Sequence, residues 1–176
     1  MNGKMFVGLL LGAPLIVGAS VYYLQVYGFY EEIAPTGPRD VQLVLADGGA
    51  TEPVAHADFQ AIDADSSPIR YRACFTTSVT LEDARTLYVG APKALPRNAP
   101  GWFSCFDATA IGGEIEAGTA SIFLSQKNIE YGVDRVVAIT EDGRGYIWHT
   151  LNDCGVKDYT GTTVGEACPT RPMDDK

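Results

Sequence analysis

The sequence predicts an α+β fold, in which one N-terminal transmembrane helix precedes a mainly antiparallel β-sheet domain with two short helices. Three observations carry this expectation. Residues 5–30 hold no charged side chain. The rest of the chain runs in short β-rich stretches broken by Gly, Pro, Asp and Ser clusters, the pattern of strands joined by turns. Two segments instead open on helix-capping residues, Thr80 and Asp107.

The uncharged run comes first. Ser20 and Gln25 are its only clearly polar residues. A bilayer core needs about 20 apolar residues in a helix, and a lone segment in lipid satisfies its backbone only as a helix. A cleavable signal peptide has an apolar core of about 7–15 residues, shorter than this one. Lys4 precedes the run, and Glu31 and Glu32 follow it. Positive charge stays on the cytoplasmic side, so the N-terminus is expected inside and the domain outside. Tyr22, Tyr23, Tyr27, Phe29 and Tyr30 crowd the outer end, where aromatic rings favour the headgroup level. Gly8 and Gly12, four apart, make a flat strip suited to close packing against another helix. The expected organisation is a cytoplasmic stub over residues 1–4, the span over 5–30, a proline-stiffened juxtamembrane linker over 31–39, a domain over 40–168 and a polar tail over 169–176.

Within the domain, residues 41–45 form a compact apolar run. Residues 54–62 and 69–76 flank the turn formers Asp63-Ala-Asp-Ser-Ser-Pro68 and read as a hairpin. In its second arm, Ile69, Tyr71, Ala73 and Phe75 share one face, and Arg70, Arg72 and Cys74 the other. Thr80 starts a helix expected to reach about Val89. A Pro-rich loop covers 90–101. Residues 102–106 are expected as a short strand, and Asp107 as the cap of a second helix running through Glu116, weakened by Gly112 and Gly113. Residues 121–124 suggest another strand. The clearest hairpin is last: residues 135–140 and 146–151 flank a turn containing Asp142-Gly143.

All 22 acidic residues follow the anchor and Lys4 is the one basic residue before it, which leaves 12 basic residues and a net charge of −10 beyond it. That balance excludes nucleic acid as a partner, since nucleic acid selects basic patches. It suits a soluble surface, or a basic protein partner.

Cys74, Cys105, Cys154 and Cys168 all lie beyond the anchor. An even count in an oxidising compartment implies two disulfides, with three possible connectivities. Cys154–Cys168 is favoured because it closes a Gly-rich polar loop that has no core of its own. Cys74–Cys105 would then tie two strands together. There is no C-x-x-C pair and no zinc spacing.

Candidate sites are sparse. His56 and His149 fall in expected strands beside apolar neighbours, so hydrogen-bonded structural histidines are expected. The Asp63–Asp65 turn lacks the central Gly and the twelfth-position Glu of a calcium loop. Gly143-Arg-Gly145 lacks the phosphate-loop pattern around it, and no G-x-S-x-G element occurs. No catalytic, metal or cofactor residue is therefore assigned. Arg70 and Arg72 can grip a carboxylate, or pair with local acids such as Asp58 or Asp107. A ligand pocket would need Tyr71, Trp102, Trp148 and Arg70 to converge.

The start Met1-Asn-Gly-Lys4, the aromatic stretch Tyr22-Tyr-Leu-Gln-Val-Tyr27 with Tyr30-Glu-Glu32, and the segments Ser67-Pro-Ile-Arg-Tyr-Arg-Ala-Cys-Phe75 and Gly101-Trp-Phe-Ser-Cys-Phe106 resemble an uncharacterised alphaproteobacterial family of small single-span proteins. The resemblance implies an inner-membrane anchor and a periplasmic domain. Members of such families sometimes carry a histidine-kinase label, but this chain has no phosphoacceptor helix, no ATP lid and no room for an ATPase domain. The function expected is that of a non-catalytic, membrane-anchored accessory or assembly subunit of an inner-membrane complex, with a respiratory complex as one specific case. Its partners would be other integral membrane subunits, reached through the Gly8/Gly12 face, and a basic periplasmic protein such as a cytochrome c. The alternative is a periplasmic sensor or small-ligand binding module.

Overall fold

A computed structural model describes residues 3–170. Two residues of the expected N-terminal stub, and all but the first two of the expected polar tail, lie outside that range. The order of elements is helix α1 (Gly3–Tyr23), a π-helical turn (Leu24–Gly28), strands β1 (Glu31–Ile33), β2 (Gln42–Val44), β3 (Thr51–Pro53), β4 (His56–Asp63) and β5 (Arg72–Thr77), helices α2 (Leu81–Leu87) and α3 (Ala108–Ala117), and strands β6 (Ala120–Glu130), β7 (Val133–Thr140) and β8 (Arg144–Leu151). This is an α+β fold with an N-terminal apolar helix. Residues 3–28 together are long and apolar enough to cross a membrane.

Six strands form one antiparallel sheet in the order β1-β4-β5-β8-β7-β6, and β2 and β3 pair separately. Glu31 sits opposite Asp63, Ile62 opposite Arg72, Arg72 opposite Trp148, and Leu151 opposite Val133. The start of β1, the end of β4, the start of β5, the end of β8 and the start of β7 therefore share one end of the sheet, the end that α1 joins.

The sheet buries both faces, and strand alternation assigns its residues to them. Tyr71, Ala73, Phe75, Val137, Ile139 and Ile147 pack on one side, under the β2–β3 hairpin and α2. Cys74, Val136, Ala138, Tyr146 and Trp148 pack on the other, under α3 and the loop over residues 90–106. Fully burying side chains of this size is worth about 1.5–3 kcal/mol each. These two layers, rather than local propensity, hold the short strands.

Local chemistry sets several boundaries. Thr80 caps α2 by accepting the Asp83 amide, and Asp107 caps α3 by accepting the amides of Thr109 and Ala110. α2 stops at Leu87, short of the expected Val89, because Tyr88 turns extended and the Val89 amide donates to Val44 of β2. Gly143, at φ 80°, makes the β7–β8 turn. Gly145 meets the Phe75 ring so closely that a Cβ there would overlap it.

Two strand assignments need correction. Residues 102–106 are not a strand. They form successive turns, with the Phe103 amide donating to Pro100 and the Phe106 amide to Phe103. The aromatic side chains that suggested a strand instead pack down onto the sheet face, where the Cys74–Cys105 disulfide fixes the segment. The strand expected over 121–124 extends to the full length of β6, with a bulge between Leu124 and Gln126. Two further strands, β1 and β3, have no counterpart in the sequence reading. β1 lies in what reads as the start of the linker, and is the edge strand of the main sheet.

Both disulfides have the favoured pairing, with Cα separations of 6.2 Å for Cys74–Cys105 and 4.9 Å for Cys154–Cys168.

Candidate functional site at the junction of helix and domain

The end of the apolar helix is bonded to the domain rather than hanging from it. The last carbonyls of a helix have no amide ahead of them to accept from. Here Trp102 supplies a donor. Its indole Nε1 donates to the Val26 carbonyl at 2.6 Å. The same ring stacks on Tyr27, with centroids 6.4 Å apart, and meets Tyr30 edge-on at 6.1 Å. β1 begins at the next residue and continues the contact as main-chain pairing with β4. A cavity of about 430 Å³ lies beside this junction, lined in part by Ile33, Pro35, Phe59, Gln60 and Phe103.

Arg70 belongs to the same cluster. Its guanidinium lies over the Tyr30 ring, 5.5 Å from the centroid, a cation–π contact. One of its Nη atoms is buried without an acceptor. No ion pair with Asp58 or Asp107 forms. Asp58 accepts the Thr76 hydroxyl, and Asp107 is occupied as a helix cap.

Arg72 is not available to a ligand. It is 4% exposed, and its guanidinium donates to four main-chain carbonyls: Nε to Arg97 (2.9 Å), Nη1 to Ile69 (2.9 Å) and Tyr71 (2.7 Å), and Nη2 to Asn98 (3.2 Å). Among the described residues no carboxylate is hydrogen-bonded to it, and burial, outweighing the pull of Asp63, brings its pKa down to about 10. The side chain also lies over the Phe106 ring at 5.6 Å. Arg72 therefore acts as a peg that holds residues 97–98 of the loop against the start of β5.

Trp148 is completely buried against Phe106, on the opposite face of the sheet from Tyr71. The four residues that a ligand pocket would need (Tyr71, Trp102, Trp148 and Arg70) therefore do not converge. Alternation places Tyr71 and Trp148 on opposite faces, because Trp148 pairs with Arg72 and not with Tyr71.

Both histidines are hydrogen-bonded within the fold. His56 Nδ1 lies 2.8 Å from the Val54 carbonyl. His149 Nδ1 lies 2.6 Å from the Pro68 carbonyl, and its Nε2 lies 3.0 Å from Arg135 Nε. A carbonyl only accepts and a guanidinium only donates, so His149 carries its proton on Nδ1. Burial drives its pKa from the ordinary 6.5 to about 4, against the smaller opposing pull of the Pro68 bond. Among the described residues, no three His, Cys, Asp or Glu side chains group in a way that would hold a metal. At Gly8 and Gly12 no atom of the described residues outside the helix's own backbone lies within 4 Å of where a Cβ would stand.

The profile of one sequence family matches residues 41–169. The chain belongs to DUF6446, a family of unknown function. The DUF6446 match spans the chain from the start of the β2–β3 hairpin through both disulfides. It includes Trp102, Arg72, Arg135 and His149, and leaves out α1, Tyr27, Tyr30 and β1. No curated protein and no solved structure matches the chain.

Sequence reasoning named Trp102 as a ligand or partner contact and did not foresee its bond to the end of the apolar helix. The aromatic crowding over residues 22–30 was the available signal. It missed Arg135, the one basic residue of β7.

Proposed function

We infer that this chain is a non-catalytic accessory or assembly subunit of a larger complex in a bacterial inner membrane, with its N-terminus cytoplasmic and its disulfide-bonded domain periplasmic. The observation that carries this reading is the Trp102–Val26 junction, continued by the pairing of β1 with β4. It ties the end of the helix to the domain, which suits a part that must sit in one place among neighbours. Lys4 before the apolar run and Glu31 and Glu32 after it support the orientation. Two disulfides support an oxidising compartment. The Gly8/Gly12 strip, with no packing partner among the described residues, offers a face to a second membrane helix. The net charge of −10 beyond the anchor favours a basic periplasmic protein nearby, such as a cytochrome c, and so a respiratory complex.

The test is purification of the tagged native protein in a gentle detergent, followed by native mass spectrometry. The expected result is a complex of fixed stoichiometry that is lost when Gly8 and Gly12 are replaced by Leu. A monomer that carries no companion, in wild type as in the variant, overturns the reading.

A further inference from the structure

At the end of the sheet that α1 joins, one face changes character. Along β7 the inward residues run Ile139, Val137, Arg135; along β8 they run Ile147, His149; along β4 they run Ala61, Asp63. The apolar core thus ends in three polar side chains. With Asp65, Ser67 and Glu130 they line a cleft of about 440 Å³, a size suited to a small molecule.

Arg135 is held there by the protein and left with unused donors. Its guanidinium lies 4.3 Å from the Tyr71 ring centroid, and Tyr71 in turn stacks on His149 at 4.9 Å. Its Nε is fixed on His149 Nε2. Neither Nη atom has a hydrogen bond or an ion pair among the described residues. Asp134, its neighbour in sequence, faces away and is taken up by Lys127, the Asn128 amide and Asn152. A guanidinium fixed at Nε, with both Nη atoms unpaired among the described residues, offers donors for a carboxylate.

The rest of the cleft carries the opposite sign. Asp63 uses one carboxylate oxygen on the Ala64 amide, and the carboxylates of Asp65 and Glu130 have no partner among the described residues. Three carboxylates repel a simple anion, and Arg135 repels a simple cation. A molecule with both charges a few ångströms apart satisfies each side. We propose that this cleft binds a small zwitterion, of which an α-amino acid is the simplest, with its carboxylate on the Nη pair of Arg135 and its ammonium group toward Asp63, Asp65 and Glu130.

The inference is independent of any partner complex, because binding is read on the purified full chain in detergent micelles by calorimetry. The probes are L-alanine, L-glutamine and L-glutamate, with acetate and methylamine as single-charge controls. Saturable binding of at least one amino acid is expected, with acetate and methylamine at least about tenfold weaker, a ratio that corresponds to 1.4 kcal/mol. Arg135→Gln is expected to abolish binding, and Arg135→Lys to weaken it about tenfold, since the ammonium lacks the paired donors. Asp65→Asn and Glu130→Gln, on the rim and away from the core, are expected to weaken the amino acids and to strengthen acetate. These two variants carry the test if Arg135→Gln does not fold. No binding of any amino acid by the wild type overturns the proposal, as does acetate binding as tightly as alanine, or unchanged affinity in the rim variants.

Discussion

Acid should weaken this domain through one histidine. His149 is 4% exposed and neutral, with a folded pKa near 4, whereas an unfolded chain binds the proton at the ordinary 6.5. Between these values the unfolded state holds a proton that the folded state does not, so stability falls with pH from about 6.5 down to about 4 and stops falling there on this account. At pH 5 the unfolded histidine is almost fully protonated and the folded one mostly is not, a penalty of about 2 kcal/mol relative to pH 8. The carboxylates behave differently. Asp142, held down to about 2 by the Thr140 and Arg144 bonds, retains its contribution until far lower pH. Burial raises Asp63, so its effect runs the other way, with stability gained rather than lost as pH falls through its raised pKa. Subtracting a His149→Gln variant removes both from the comparison. The assay is urea unfolding of the full chain in micelles at pH 8, 6.5 and 5. The variant is expected to be weaker at pH 8 but to lose about 2 kcal/mol less than wild type on the way to pH 5. Parallel pH profiles for the two proteins would refute the assignment of a buried neutral His149.

Other substitutions test the remaining contacts. Replacing Arg72 by Leu leaves four carbonyls without their donor and should cost at least about 3 kcal/mol of unfolding free energy, read from urea midpoints. The double variant Cys154→Ser/Cys168→Ser opens a loop closed across 14 residues and should cost about 3 kcal/mol in the chain-entropy treatment, with most of the added hydrogen exchange confined to residues 153–168. Gly145→Ala forces a methyl into the Phe75 ring and should cost about 1–3 kcal/mol by thermal unfolding. Trp102→Phe keeps the ring but loses the bond to Val26, worth about 1 kcal/mol, so the amides of β1 should exchange about fivefold faster while those of β7 keep their rate.

The legible parts of the fold were those whose causes lie close together in sequence. Thr80 and Asp107 announce their helices because a cap acts within three residues. Asp142-Gly143 announces the β7–β8 hairpin because the turn is local. β1 was illegible for the opposite reason, since three exposed residues become a strand only when β4 stands beside them. Residues 102–106 read as a strand because aromatic and apolar side chains crowd the segment, but that crowding serves the packing of a loop onto a sheet. The site was harder still. Alternation correctly placed Arg72 and Tyr71 on opposite faces, yet it suggested carboxylate partners for Arg72. Main-chain carbonyls satisfy it instead, and any residue can supply those, so no sequence pattern marks them. Arg135 looked like one polar position in a strand until Tyr71, just before β5, and His149, on β8, closed around it.

The order of strands also dictates an order of events. β5, in the middle of the sheet, finds its second neighbour in β8, so that Cys74 stands opposite Tyr146. A chain built from its N-terminus can complete β1, β4 and β5, and even join Cys74 to Cys105, while the far edge of β5 is still unpaired. That edge stays open until residues 144–151 arrive; β6 and β7 can pair with each other earlier, but they join the rest of the sheet only through β8. Until then the molecule is two three-stranded halves in prospect, with a sticky strand exposed between them. Any factor that shields this protein during its manufacture has the edges of β5 and β7 to cover, and the arrival of β8 closes both.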